Sequence, residues 1–447
     1  MIKIYDTMTR SLRDFVPLTE NVVNMYVCGP TVYNYIHIGN ARSAVAFDTI
    51  RRYFEYCGYT VNYISNFTDV DDKIIKAANE AGISTKELSD KFIAAFMEDT
   101  AQLGIKPATQ NPRVINYMDE IIAFVSTLVD KGFAYVSEGD VYFRVAKSNN
   151  YAKLANKTLE DLEIGASGRT DAETERKENP LDFALWKAAK EGEVSWDSPW
   201  GPGRPGWHIE CSVMATEILG DTIDIHGGGA DLEFPHHTNE IAQSEAKTGK
   251  TFANYWMHNG FVNVDNEKMS KSLGNFVTVH DMLKTVDGQV LRFFLATQQY
   301  RKPINFTEKA IHDAEVNLKY LKNTHSLPLT DQVNQDELQT YLEAFQEAMD
   351  DDFNTANGVT VLFDMAKWIN SGNYDQTVKD AFEKMLQVFG IVFEEEVLDE
   401  DIEKLIEERQ AARANKDFAT ADRIRDELAA QGIKLLDTKD GVRWTRD

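Results

Sequence analysis

Residues 37–40, His-Ile-Gly-Asn, have the side chains and spacing of a phosphate-binding turn. They lie between a strand-forming run and a helical pattern, where free backbone N–H groups and the helix dipole attract anions. Gly39 would let a nucleotide approach the backbone, and His37 and Asn40 can donate hydrogen bonds to phosphate oxygens. Taken alone, this nucleotide turn is also typical of an ordinary helix cap with a surface histidine.

A second candidate is the lysine loop at 268–272, Lys-Met-Ser-Lys-Ser, which follows an apolar strand pattern at 261–264. Lys268 and Lys271 could neutralise the charge that spreads over a triphosphate during an in-line transfer. A solvated basic loop is the plain alternative. Together the two segments predict a nucleotide-dependent reaction.

Cys28, Cys211, His236 and Glu240 offer two thiolates, an imidazole and a carboxylate, which make an acceptable tetrahedral zinc set. His236 and Glu240 are four residues apart, so a helix would put them on one face. Buried packing of both cysteines is the other interpretation, because cysteine is often a small core residue. Three further histidines are rival ligands: His208, His226 and His237.

The elements that position these residues begin with a strand–helix–strand pattern at 22–28, 41–57 and 60–64. Two strands joined by a helical crossover predict a parallel βαβ unit with ligands at the carboxyl ends of its strands. Cys28 would then lie beside the nucleotide turn. Cys57 falls on the apolar face of the helix, and we expect it in the core.

The rest of the chain predicts helical and hairpin elements around irregular segments. In order, we expect a helix at 113–130, a hairpin at 134–136 and 141–143, loops at 147–179, a structured loop at 196–207, helices throughout 307–389, and helices ending at Gly432 before a hairpin at 433–437 and 442–444.

Length and charge restrict the function classes. A chain of 447 residues predicts two to four domains. The net charge of −25 repels phosphate backbones, so any RNA contact must use local basic patches. Residues 391–408 carry nine acids and one base, whereas 409–447 carry nine bases and seven acids. This change indicates an acidic linker followed by a separate small module.

Three widely spaced cysteines are no disulfide framework and favour a reducing compartment. The chain has no apolar run of about 18 residues for a membrane helix, and its first residues lack a secretory signal. We therefore expect a cytoplasmic protein without a membrane contact.

The two nucleotide segments together resemble the paired ATP-binding signatures of class I aminoacyl-tRNA synthetases. Further segments are similar to cysteinyl-tRNA synthetase: 26–31, 68–73, 206–212, 226–237 and 351–355. The resemblance runs from residue 5 to residue 444. One departure is Asn40, where the broader class has histidine, so this side chain can donate a hydrogen bond but cannot carry positive charge.

The resemblance implies an α/β fold, in which a Rossmann-like parallel sheet with an insertion precedes a helical bundle and a small anticodon-binding domain. The implied division is catalytic half 1 at 1–110, connective insertion at 111–200, catalytic half 2 at 201–255, stem-contact region with the lysine loop at 256–306, helical bundle at 307–390, and anticodon-binding module at 391–447.

The implied activity is cysteine–tRNA ligation: L-cysteine reacts with ATP and Mg²⁺ to form cysteinyl-adenylate and is then transferred to tRNA(Cys). A monomer is expected. The implied site residues are His37, Asn40, Lys268 and Lys271 for catalysis; His37, Gly39, Asn40 and Lys271 for ATP; Cys28, Cys211, His236 and Glu240 for one zinc ion; Trp207 and Thr68 for substrate cysteine; and Arg409, Arg413, Arg443 and Trp444 for the anticodon.

Zinc has a physical purpose in such an enzyme, because cysteine and serine differ by one atom and an apolar pocket separates them poorly. Zinc prefers a soft thiolate to a hydroxyl. Two alternative functions are a ligase that joins cysteine to an aminosugar, which would lack the C-terminal module, and a non-catalytic zinc-stabilised RNA-binding protein.

Overall fold

The computed structural model describes residues 1–166, 174–270, 272–395, 399–439 and 441–446. The chain divides into two compact units, Met1–Val392 and Phe393–Asp447. The first unit begins with β1 (Lys3–Asp6), β2 (Ser11–Asp14), β3 (Val22–Val27), α1 (Ile38–Tyr56), β4 (Thr60–Ser65), α2 (Asp72–Ala81), α3 (Thr85–Gln102), α4 (Met118–Asp130), β5 (Ala134–Ser137), β6 (Asp140–Phe143), α5 (Leu159–Ala166), β7 (Phe183–Ala188) and β8 (Gly203–Pro205).

The first unit continues through a second α/β segment into a helical region. Its elements are α6 (Trp207–Leu219), β9 (Ile223–Gly229), α7 (Thr238–Thr248), β10 (Ala253–Asn259), β11 (Val262–Val264), β12 (Glu267–Lys268), α8 (Val279–Met282), α9 (Gly288–Ala296), β13 (Ile304–Phe306), α10 (Glu308–His325), α11 (Gln335–Asp350), α12 (Thr355–Asn370) and α13 (Gln376–Val388).

A four-stranded parallel sheet with the order β10-β9-β3-β4 forms the centre of this unit. Most residues of β3, β9 and β10 are buried, as expected for a parallel sheet that is covered on both faces. Tyr26, near the end of β3, pairs with Ile64 of β4 and His226 of β9. The predicted parallel βαβ unit is confirmed, and the carboxyl ends of β3 and β9 lie at one edge.

Helix α1 covers the sheet with buried residues at helical spacing, among them Phe47, Ile50 and Phe54. Cys57, expected in the core, is only half-buried because the helix has already ended at Tyr56 and Cys57 is its cap residue. Gly58, with φ +95°, then turns the chain towards β4.

The segment between the two halves of the parallel sheet contains an antiparallel sheet with the order β5-β6-β7-β8. The hairpin β5–β6 is confirmed. The helix expected from residue 113 begins instead as a 3₁₀ turn, Val114–Tyr117, before α4. The loops expected at 147–179 contain α5, and residues 167–173 of this stretch lie outside the described residues. The loop expected at 196–207 contains β8, which pairs with β7 through backbone hydrogen bonds that side-chain patterns do not reveal.

Buried ion pairing joins α9 to α1. The side chain of Arg292 is fully buried and donates to Asp48 Oδ2 at 2.7 Å, Thr49 Oγ1 at 3.1 Å and the carbonyl of Phe389 at 2.9 Å. Burial raises the pKa of Asp48, but Arg292 and Arg52 outweigh it, so the pKa lies below its ordinary value. The ion pair between Arg292 and Asp48 therefore fixes α9 against α1, the helix that begins at the nucleotide turn.

Replacing Arg292 by methionine should lower the free energy of unfolding by about 3 kcal/mol, because it leaves a buried carboxylate with one of its two guanidinium partners. Urea denaturation followed by circular dichroism would measure this loss. Lys309→Met is the matched control, since Lys309 pairs with Asp313 on the surface and should change nothing measurable. Equal unfolding curves for the two variants would contradict the expectation.

The second unit consists of α14 (Glu400–Ala414), α15 (Phe418–Ala430), β14 (Ile433–Thr438) and β15 (Gly441–Arg446). The two strands form the predicted antiparallel hairpin. Its small core contains Ile402, Ile424, Leu428 and Ile433. Among the described residues of the whole chain, the structure contains no helix with the length and apolarity that crossing a bilayer requires.

Candidate active site

The nucleotide turn lies at the carboxyl end of β3 and begins α1. His37 is the N-cap residue: its Nδ1 accepts from the backbone N–H of Asn40 at 3.2 Å, while Asn40 Oδ1 accepts from the N–H of His37 at 3.2 Å. A Cβ on Gly39 would lie 2.8 Å from the His37 ring, so glycine is needed for this packing. The cap interpretation and the phosphate interpretation therefore describe the same residue.

The lysine loop begins at Lys268, the last residue of β12. Asn275 holds its base, because Asn275 Oδ1 accepts from the N–H of Ser270 at 2.9 Å and its Nδ2 donates to the carbonyl of Lys268 at 3.3 Å. Lys268 is exposed, with its ammonium 5.4 Å from the ring centre of Phe261. Lys271, predicted to bind ATP, lies outside the described residues.

A cavity of about 610 Å³ brings most of the predicted residues of this unit together. It is lined by His37, Gly39 and Asn40 of the nucleotide turn, by Lys268, Met269 and Ser270, and by Cys28, Cys211, Thr68 and Trp207. This volume is in the range of sites for small organic ligands. The anticodon residues belong to the other unit.

The cluster of Cys28, Cys211, His236 and Glu240 adjoins the cavity through its two cysteines, which line it. One potential ligand atom from each lies within 4.8 Å of the other three. The two Sγ atoms are 3.8 Å apart, and His236 Nε2 is 3.5 Å from Glu240 Oε1. Two thiolates about 2.3 Å from one tetrahedral zinc would be about 3.8 Å apart. The residues therefore fit a zinc ion.

Burial of these four side chains makes their ionised forms unfavourable when no cation is bound. Desolvation raises the pKa of the Cys28 thiol and of the Glu240 carboxyl well above their ordinary values, and it lowers the pKa of His236. A bound cation reverses this preference, because it stabilises thiolate and carboxylate ligands. His236 Nε2 is buried and has no hydrogen-bond partner among the described residues.

Two of the rival histidines give a second geometrically possible set, Cys28, His226, His237 and Glu240. His237 Nε2 lies 3.4 Å from Cys28 Sγ, while its Nδ1 contacts His258 at 2.8 Å. This set has only one thiol. The third rival, His208, places Nδ1 2.9 Å from His236 Nδ1, which orients the His236 ring with Nε2 towards the cluster.

The two residues predicted for substrate cysteine lie beside the cluster. Trp207 begins α6, is 40% exposed, and stacks on the His236 ring with centroids 4.0 Å apart, so it is no core residue. Thr68 is buried, and its hydroxyl accepts from Asn66 Nδ2 at 3.2 Å. Asn66 Oδ1 in turn accepts from the N–H of Gly29 at 3.0 Å.

Asn66 was missed by the sequence reasoning. It directly follows β4, so the rule that ligands bind at carboxyl ends of parallel strands could have identified it.

In the second unit, Arg409 is buried and donates twice to Asp437, at 3.0 Å each, and Arg413 contacts the same carboxylate at 2.5 Å. Arg443 and Trp444 are half-buried on β15.

Three family models match the chain. Residues 14–316 match the class I tRNA synthetase (C) catalytic domain, 344–394 match the DALR domain, and 395–444 match the cysteinyl-tRNA ligase anticodon binding domain. The chain belongs to the cysteine–tRNA ligase family. This membership, predicted from the motifs, assigns a ligase of the class I aminoacyl-tRNA synthetases whose substrates are cysteine, ATP and tRNA.

Curated relatives match over the full length of both chains. The cysteine–tRNA ligase of Streptococcus thermophilus (strain CNRZ 1066) is 95% identical, and that of Streptococcus agalactiae (strain NEM316) is 83% identical, each covering 100% of both chains. A solved Mycobacterium tuberculosis methionyl-tRNA synthetase in complex with methionyl-adenylate has 15% identity and a TM-score of 0.60, covering 82% of this chain and 89% of its own. That likeness supports the fold.

Proposed function

We propose that the family reaction is made selective for cysteine by one zinc ion per chain, held by Cys28, Cys211, His236 and Glu240. The observation that carries this proposal is the 3.8 Å separation of two thiols at the wall of the nucleotide cavity. When bound, zinc supplies a soft Lewis acid that favours a thiolate over a hydroxyl. The set with two thiols suits zinc better than the rival set with one.

The residues of the chain have separate roles in this proposal. Trp207 and Thr68 orient the substrate cysteine beside the cluster, with the Trp207 ring excluding water. The carboxylate of the substrate cysteine attacks the α-phosphorus of ATP, which is supplied with Mg²⁺. His37, Gly39 and Asn40 hold the phosphates. Lys268 and Lys271 neutralise the charge of the departing pyrophosphate. The terminal ribose 2′-hydroxyl of tRNA(Cys) then attacks the acyl carbon of cysteinyl-adenylate and displaces AMP, which gives cysteinyl-tRNA.

Metal removal tests the zinc proposal. The purified chain should contain about one zinc per chain, and chelation should reduce cysteine-dependent pyrophosphate exchange at least about tenfold and lower its preference over serine. Re-addition of zinc should restore both. The serine reaction serves as the internal control, since it should respond much less to the metal. An unchanged cysteine-to-serine ratio without metal would contradict the proposal.

The substrate residues allow a separate test. Trp207→Ala should raise KM for cysteine about tenfold while KM for ATP stays constant, since Trp207 stacks on the ring of His236, a member of the proposed cysteine site. A change in KM for ATP alone would assign this residue to the nucleotide instead.

For the second unit we propose that Arg409, Arg413, Arg443 and Trp444 recognise the anticodon, with Arg409 acting by orienting Asp437. The match of 395–444 to an anticodon binding domain supports tRNA rather than an aminosugar as acceptor. Arg443→Ala should raise KM for tRNA about tenfold without changing pyrophosphate exchange, which needs no tRNA. An unchanged KM for tRNA would exclude this arginine from recognition.

The predicted six-part division is also proposed for this chain, with the pairing of β8 to β7 favouring an insertion that extends to about residue 205.

We further propose that one chain suffices for activity, because both ATP segments and the cysteine cluster lie in the same unit. We also propose that the enzyme acts in the cytoplasm. Light scattering of the purified chain and fractionation of cells test these two proposals.

A further inference from the structure

The two ATP segments are joined to each other by the strand-like stretch that follows the lysine loop. The N–H of Val279 donates to the carbonyl of Ile36 at 2.9 Å, and the N–H of Ile38 donates to the carbonyl of Val277 at 3.1 Å. These bonds flank His37. The position at which the chain leaves the lysine loop is thus set by the nucleotide turn.

Three side chains extend this connection to a third element. The rings of Tyr35 and His280 stack with centroids 4.1 Å apart and an interplanar angle of 11°. His280 Nδ1 lies 3.2 Å from Oδ1 of Asp99, which is in α3. Phe92, two turns earlier in α3, packs edge-on against Tyr35 with the ring centroids 5.2 Å apart. One helix therefore holds both members of the stack.

Asp99 is placed to hold His280 firmly. Its carboxylate is 2% exposed, and Oδ2 has no hydrogen-bond partner among the described residues, so the contact with His280 is the polar side-chain contact that compensates its burial. The nearest charged residues along the chain are Asp281 of α8 and Lys284, which follows α8, and Lys284 Nζ donates to Asp281 Oδ1 at 2.9 Å. The Asp99 contact is the buried one.

We propose that Tyr35, His280 and Asp99 form a positioning clamp that sets where the lysine loop meets the triphosphate. None of the three lines the cavity, so they act through the backbone pairing of 36–38 with 277–279 rather than by touching substrate. This proposal rests on the assignment of the nucleotide turn and lysine loop to ATP.

A clamp of this kind affects one of the two chemical steps. The lysine loop acts on the phosphates, so its position matters for adenylate formation. Transfer to tRNA begins after pyrophosphate has left and does not need the loop. A general loss of folded protein would instead slow both steps equally, and this difference separates a positioning role from a structural one.

The test is single-turnover kinetics on the full chain carrying His280→Ala. Adenylate formation should slow about tenfold, as expected for loss of a hydrogen bond to a carboxylate, while transfer from preformed cysteinyl-adenylate to tRNA stays within about twofold. His280→Arg should restore the first step, because a guanidinium can pair with Asp99 and stack on Tyr35. His312→Ala, on the exposed face of α10, is the matched control.

The proposal is wrong if His280→Ala slows both steps equally, if it slows neither, or if His280→Arg fails to restore adenylate formation. Lys268→Ala in the same assay examines the underlying assignment separately. If Lys268→Ala leaves adenylate formation unchanged, the assignment of the lysine loop to ATP fails, independently of the result at His280.

Discussion

Replacing Cys211 by serine is expected to remove most of the bound zinc and to lower the preference for cysteine over serine by about 100-fold. The side chain is buried in α6 with its Sγ 3.8 Å from the Cys28 thiol, so it lies among the four proposed ligand atoms. A hydroxyl is a poor ligand for zinc compared with a thiolate. Serine adds no bulk, and the cavity keeps its shape.

Three measurements on one preparation check this expectation: zinc content, and pyrophosphate exchange with cysteine and with serine. Cys57→Ser is the matched control, because Cys57 is half-buried at the end of α1 and outside the cluster. It should keep its zinc and its selectivity. Full metal content and selectivity in the Cys211 variant would exclude Cys211 as a ligand and favour the rival set containing His226 and His237.

Local patterns predicted the fold wherever burial was periodic. The strands β3 and β4 and the helix between them have apolar spacing strong enough to fix both element type and connection. The local sequence pattern does not predict a strand that forms only by pairing with a neighbouring strand. An example is β8, which is three residues long and pairs with β7. The same reason explains why residues 196–207 looked like a loop.

The site was predicted residue by residue but not contact by contact. The resemblance selected Cys28, Cys211, His236 and Glu240, and the structure brings their ligand atoms together. It did not reveal that His208 orients His236, because those two residues are 28 positions apart and share no local pattern. Nor could charge counts show that Arg409 is buried against Asp437 rather than exposed.

The second large effect concerns His37, which serves both as helix cap and as a wall of the nucleotide cavity. Replacing it by asparagine should separate these roles. Asparagine is among the best N-cap residues, so its side chain can accept the N–H of Asn40 as His37 does now. Its shorter side chain cannot place a donor where the imidazole ring reaches. The free energy of unfolding should therefore change by less than about 0.5 kcal/mol.

Adenylate formation by His37→Asn should nevertheless slow about 100-fold, because one preorganised donor to the charge that develops on the phosphates is lost. Single-turnover formation of cysteinyl-adenylate measures this rate, and thermal denaturation measures the cap. His37→Ala is the paired variant, and its rate of adenylate formation should fall by the same factor. Its free energy of unfolding should also fall by about 1 kcal/mol, since alanine cannot cap α1. If His37→Asn keeps its rate within about threefold, His37 is a cap alone, and the phosphates must be held by the backbone of the nucleotide turn and by the lysine loop.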